Sequence, residues 1–162
     1  MSIDKLKEMG FNLIPLKPKS KEPIGGLNWK QFQDNKYMGS YPDSCNVAVI
    51  CGTSSGNIFV VDLDDATLYD DYPAEIKNTF TVKTGKGYHI YYHFHGFPPP
   101  NRKMDDKRGR HIDIKSHGGY VLAPTSVHPN GSIYTAINES PIMDISIQKL
   151  KDPLSNMGFN VE

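Results

Sequence analysis

"NIFVVDLD", residues 57–64, is the stretch on which the fold class turns. Phe59, Val60, Val61 and Leu63 are side chains of a sheet interior, and a run this short between turn residues reads as a buried strand. Side chains alternate faces along a strand, so Asp62 and Asp64 point the same way. Two like charges on one face of an apolar strand repel, and a counter-charge that satisfies both relieves them. A divalent cation does so most directly.

Working outward, the segments on either side carry the same strand grammar. "FNLIPL" (11–16), "NVAVIC" (46–51), "FTVKT" (80–84) and "YHIYYHF" (88–94) read as strands, with turns at "GTSSG" and "GKG". "HIDIK" (111–115) and "YVLA" (120–123) read as a hairpin around "SHGG", and a last short strand follows the turn "PNG". Helices are expected at 3–9, ended by Gly10, and at 28–35 behind the N-cap candidate Asn28. Two more are expected over much of 65–78 and at about 142–152. The charged, proline-rich "GFPPPNRKMDDKRGR" (96–110) reads as a long excursion. The fold class is therefore α+β, mostly antiparallel, with helices covering one side of the sheet. One domain spans 1–162, with its core at about 10–135.

Composition narrows the function. The chain has 162 residues, 38% of them hydrophobic, which suits a folded domain. Its 18 basic and 18 acidic residues cancel, which argues against coating DNA through bulk charge but not against a local basic groove. "KPKSKEP" (17–23) and "NRKMDDKRGRH" (101–111) are the two basic concentrations. No apolar run is long enough to cross a membrane, and the polar "MSIDKLKEMG" is no signal peptide, so the cytoplasm is expected. Cys45 and Cys51 form no CxxC pair and read as inert thiols.

Two further elements join the Asp pair. In "HIDIK" an acid again sits between aliphatic neighbours, with His111, Asp113 and Lys115 on one face and Ile112 and Ile114 on the other. Mg²⁺ and Mn²⁺ take oxygen ligands, and a two-metal site uses carboxylates to hold ions about 3.5–4 Å apart. "KTGKGYH" (83–89) is a Gly-x-Gly turn whose backbone N–H groups suit phosphate oxygens, with Thr84, Lys86 and His89 beside it. It is not a Walker A loop, because no glycine lies five residues before Gly85-Lys86 and no Ser or Thr follows the lysine. His89, Tyr91, His93 and His95 share a strand face, but residues spaced by two diverge and make a poor zinc site.

The order "VVDLD", "TGKGYH", "IDIKSHGGYVLAPTSVHPNG" resembles the archaeo-eukaryotic primase superfamily. It is most similar to the bifunctional primase-polymerase (prim-pol) N-terminal domain of plasmid and phage replication proteins. The matching motifs are Val61-Asp62-Leu63-Asp64, Gly87-Tyr88-His89 and Ile112-Asp113, within a resemblance covering roughly 10–135. Lys86-Gly87 stands where many relatives have two glycines. The resemblance implies a primase-type catalytic core with an RRM-like sheet half. It implies template-directed nucleotidyl transfer with two Mg²⁺ or Mn²⁺ ions on Asp62, Asp64 and Asp113. His89, Thr84, Lys86 and the Gly85–Gly87 backbone would bind triphosphate, Lys115 would offset phosphate charge, and Ser126 and His128 would line the nucleotide pocket. Implied partners are single-stranded DNA template and primer, nucleoside triphosphates, and a helicase or helical accessory domain. Residues 101–110 would track the template, and Tyr120 or a neighbour would sense the sugar. A non-catalytic nucleic-acid-binding module and a metal-dependent nuclease are the competing readings.

Overall fold

The computed structural model describes residues 1–162. Its helices are α1 (Ile3–Glu8), α2 (Thr67–Asp71) and α3 (Ile147–Asn156). Its strands are β1 (Leu13–Leu16), β2 (Asn46–Ile50), β3 (Ile58–Leu63), β4 (Thr81–Lys83), β5 (Tyr88–His93), β6 (Arg102–Asp105), β7 (His111–Lys115), β8 (Tyr120–Leu122), β9 (Thr135–Asn138) and β10 (Met143–Asp144). The class is α+β, and every strand pair is antiparallel except β10 with β5. No helix is long and apolar enough to cross a membrane.

The strands form two sheets: a small one in the order β1-β2-β8, and a large one in the order β6-β7-β3-β5-β4-β9, with β10 also on β5. The alternation along β3 assigns its two faces to different cores. Phe59, Val61 and Leu63 pack with Ile112, Ile114, Tyr92 and the buried residues of α2 and α3, Leu68, Leu150 and Leu154. Ile58 and Val60 turn the other way, against Ile14, Ala48, Ile50 and Leu122 of the small sheet. Asp62 lies on that second face, at 22% side-chain exposure. Of its face-mates on β3, Ile58 and Val60 are wholly buried.

Five local expectations change. "HIDIK" and "YVLA" are not a hairpin, because both edges of β7 are taken, one by β3 and the other by β6. β8 pairs with β2 instead. Part of the supposed excursion is thus strand β6. The 65–78 helix stops at Asp71, since Tyr72 precedes Pro73 and is held extended at ψ 135°. Residues 29–33 form a 3₁₀ turn rather than a full helix, and Asn28 gives it no side-chain cap. The last helix runs Ile147–Asn156 and not 142–152. Ser146 caps it by accepting from the Lys149 N–H, and Met143–Asp144 is strand. It passes Pro153 because Leu150 and Leu154 are both fully buried.

Candidate active site

Strand register brings the acids together. Asp62 of β3 stands opposite Asp113 of β7 and, across its other edge, opposite His89 of β5. Lys103 of β6 stands opposite Asp113. Cross-strand partners share a face, with Cβ atoms about 4.5–5.5 Å apart. A single row therefore reads Lys103, Asp113, Asp62, His89. Asp64 lies just past the end of β3, exposed, and its N–H still donates to the His111 carbonyl at 3.2 Å, so it continues the same edge. Lys115 is two residues beyond Asp113 on the same face, and its ammonium makes no ion pair or hydrogen bond.

Burial sets the charge states. It pushes the Asp62 carboxyl up to about 6; Asp113 and Asp64 add to the rise, while Lys115 and Lys21 oppose it. His89 is held down to about 3 by burial and by Lys21 and Lys115, so its ring is neutral. Its Nε2 lies 3.5 Å from Asp62 Oδ1, a contact between a neutral imidazole and a carboxyl rather than an ion pair. Its Nδ1 is buried without a partner. No three His, Cys, Asp or Glu side chains converge closely enough to encage an ion unaided.

The β4–β5 turn sits at the His89 end of the row. Gly87 is required there: a Cβ would fall 1.8 Å from the Leu63 carbonyl oxygen. Gly85 lies under the His128 ring, where a Cβ would be 2.9 Å from the imidazole. The Thr84 hydroxyl accepts from the Gly87 N–H at 2.9 Å and from that of Lys86 at 3.4 Å. It therefore braces the turn, and those two N–H groups already have a partner. The ammonium of Lys86 makes no ion pair.

Ser126 is set apart from the others. It is buried, and its hydroxyl accepts from the Val47 N–H and donates to the Val47 carbonyl, both at 3.0 Å. It anchors the 123–131 loop to β2, and that loop carries His128. His93 faces the Gly56 carbonyl at 2.9 Å and His95 lies 3.4 Å from Asp144, so neither reaches the row. In the 101–110 stretch Arg102 donates to the carbonyls of Val161 and Glu162, and Arg110 pairs with Asp106. Lys103, Lys107 and Arg108 are the exposed cations left there.

Sequence reasoning missed two site residues. Lys21 comes from the loop after β1, close enough for its charge to act on Asp62, His89 and His128. Buried Asn46 holds that loop in place. Its amide donates to the Ser20 carbonyl at 3.0 Å and the Val127 carbonyl at 2.7 Å, and its oxygen accepts from the Val127 N–H at 2.9 Å. One side chain thus ties the Lys21 loop to the His128 loop. Tyr134 is the second, its ring 5.9 Å from that of His89 and its hydroxyl pushed up to about 12 by burial and by Asp62. The "KPKSKEP" run signalled the first; nothing local signalled the second.

The face thus combines a row of carboxylates, a neutral buried imidazole and cations from two loops, Lys21 and Lys86, and from β7, Lys115. Hard oxygen donors match Mg²⁺ or Mn²⁺, and the cations match an anionic substrate. The sequence model of the family described as "Bifunctional DNA primase/polymerase, N-terminal" matches residues 4–151 of the chain. No curated protein matches it.

Proposed function

The chain belongs to the bifunctional DNA primase/polymerase N-terminal family, and from that premise we propose that it is a template-directed nucleotidyltransferase. The observation that carries this reading is the register, with Asp113, Asp62 and His89 in one row beside the cation-flanked turn. In the transfer, the 3′-oxygen of a primer forms a bond to the α-phosphorus of a nucleoside triphosphate. The bond from that phosphorus to the bridging oxygen breaks, pyrophosphate leaves with the electron pair, and the hydroxyl proton passes to water.

Asp62, Asp64 and Asp113 would hold two divalent ions. The fit rests on the donor chemistry: three carboxylates on one face, of which half-buried Asp62 is destabilised by desolvation and further by the other two. Because no three side chains form a closed cage, the carboxylates would share the ions with water and substrate phosphates, as Mg²⁺ prefers. Bound ions lower the pKa of the attacking hydroxyl and offset triphosphate charge. The protein positions the rest. His89, neutral, donates from Nε2 to a phosphate oxygen, the tautomer that leaves its buried Nδ1 as the acceptor. Lys86, Lys21 and His128 surround the β- and γ-phosphates, and Lys115 offsets charge that develops at the reacting phosphate. Thr84, Gly85 and Gly87 shape the turn, and Ser126 secures the loop that presents His128.

Extension of a primer on a single-stranded template with Mg²⁺ or Mn²⁺, compared between wild type and Asp62→Asn, tests this. Extension by the wild type that is lost in a folded variant supports it. Template cleavage makes the protein a nuclease, and binding without turnover in either metal makes it a non-catalytic module.

A further inference from the structure

A cavity of about 490 Å³ opens beyond Asp113, on the side of the acid row away from the β4–β5 turn. Trp29, Tyr120, Asp113, Lys115, Asn101 and Arg102 line it. We propose that this cavity seats the terminal nucleoside of the primer, the one bearing the attacking 3′-hydroxyl. The inference rests on the nucleotidyl-transfer reading above and adds where the second substrate lies.

Four observations point there. First, the strand order places β7 and β5 on opposite edges of β3. The acids therefore lie between the cavity and the turn, as they must if hydroxyl and leaving group approach the α-phosphorus from opposite sides. Second, the wall is aromatic and fixed. Trp29 and Tyr120 meet edge to face with centroids 4.9 Å apart, and the Tyr120 hydroxyl donates to the Lys21 carbonyl at 2.6 Å. The Trp29 turn is tied down by Gln33, whose side-chain oxygen accepts from the Gly118 N–H at 2.7 Å. Rigid aromatic surface next to a cation is what a nucleobase beside a phosphodiester requires.

Third, the number of cations discriminates between substrates. Arg102 is committed to the carbonyls of Val161 and Glu162, so Lys115 is the one unpaired cation lining the cavity. One charge, beside Asp113 where the reacting phosphate sits, is too few for a triphosphate and leaves the aromatic part of the cavity to a nucleoside. The opposite side carries Lys86 on the turn, with the His128 ring over Gly85 and the Lys21 charge acting on that ring, so two lysines and an imidazole donor there suit a triphosphate. Fourth, the volume lies within the range of small-molecule sites and admits one nucleoside.

Trp29 is the protein's sole tryptophan, so its emission reports occupancy of the cavity without turnover. The unmodified protein is titrated in Mg²⁺ with a primer–template whose primer ends in a dideoxynucleotide, with the same template lacking primer, and with a nucleoside triphosphate alone. Saturable quenching by the primer–template, at concentrations where the other two leave emission unchanged, is the expected result. Quenching by the triphosphate alone would make this the incoming-nucleotide pocket, equal quenching by unprimed template would make it a strand-tracking surface, and no response to any probe would leave the cavity without this role. Each overturns the proposal. In kinetics, Trp29→Ala, checked for folding by circular dichroism, raises KM for primer–template about tenfold and leaves KM for the triphosphate within about twofold. A primer-specific fluorescence response in a protein that never extends primers would instead sink the transferase reading and leave the binding site standing.

Discussion

Replacing Asp62 by Asn is expected to make the metal-free protein more stable while abolishing its chemistry. The ordinary value of the carboxyl is 3.8, and burial in the folded chain pushes it to about 6. One pH unit corresponds to about 1.4 kcal/mol, so keeping Asp62 ionised costs the native state about 3 kcal/mol. Because the folded carboxyl binds its proton more tightly than the unfolded one, its contribution favours the fold at low pH. That contribution declines as pH rises from about 4 to about 6, and the cost is fully present above that window. The substituted amide carries no charge to strand. At pH 7.5 in EDTA, Asp62→Asn should gain about 2–3 kcal/mol in urea unfolding, or roughly 4–12 °C in Tm for a domain this size. At pH 5 the gain should shrink to about half, because much of the wild-type carboxyl is then protonated. Adding Mn²⁺ should reverse the order, raising the wild type by RT ln(1 + [Mn²⁺]/Kd) and leaving the variant unmoved. A variant no more stable than wild type at pH 7.5, or a gain that does not change with pH, would refute the reasoning.

Three other substitutions probe the scaffold around the row. Gly87→Ala places a Cβ 1.8 Å from the Leu63 carbonyl oxygen; backbone must move, and a loss of about 3 kcal/mol or more is expected in denaturant melts. Asn46→Ala removes all three bonds between β2 and the Ser20 and Val127 backbones. It should cost about 2–4 kcal/mol and also raise KM for the triphosphate, because Lys21 and His128 lose their common tether. Lys21→Gln, at an exposed and unpaired position, should leave Tm within about 2 °C yet raise KM for the triphosphate about fivefold, an effect that weakens with added salt. An unchanged KM in Lys21→Gln would remove that lysine from the site.

Much of the site was legible because its logic is local. The period-2 alternation marked Asp62 and Asp113 as acids set between aliphatic neighbours, and the register places them opposite each other. Gly87 read only as part of a phosphate-binding turn, whereas the structure shows that it is also needed for the close approach of the Leu63 carbonyl. What the sequence hid depends on distant pairing. Nothing near residue 102 says that it takes the free edge of β7, so β6 read as loop and β8 was paired with the wrong strand. The Lys21 loop is held beside the acids by distant residues, Asn46 bonding to Ser20, 26 positions away, and Tyr120 to Lys21 itself, 99 positions away. Hydroxyls are ambiguous for a similar reason. Thr84 and Ser126 read as ligands, yet their oxygens bond to the chain's own backbone. Whether a hydroxyl is free is a property of the fold, not of the motif.

The central claim is that the Asp62–Asp113 row is a divalent-ion site facing a triphosphate cradle. Anomalous diffraction from crystals soaked with Mn²⁺ and a non-hydrolysable nucleoside triphosphate tests it most directly. Manganese is expected within about 2–2.5 Å of carboxylate oxygens of Asp62 and Asp113, with the terminal phosphates against Lys86, His89 and His128. Manganese bound elsewhere, or the triphosphate lodged beside Trp29 with the acid row bare, would contradict it.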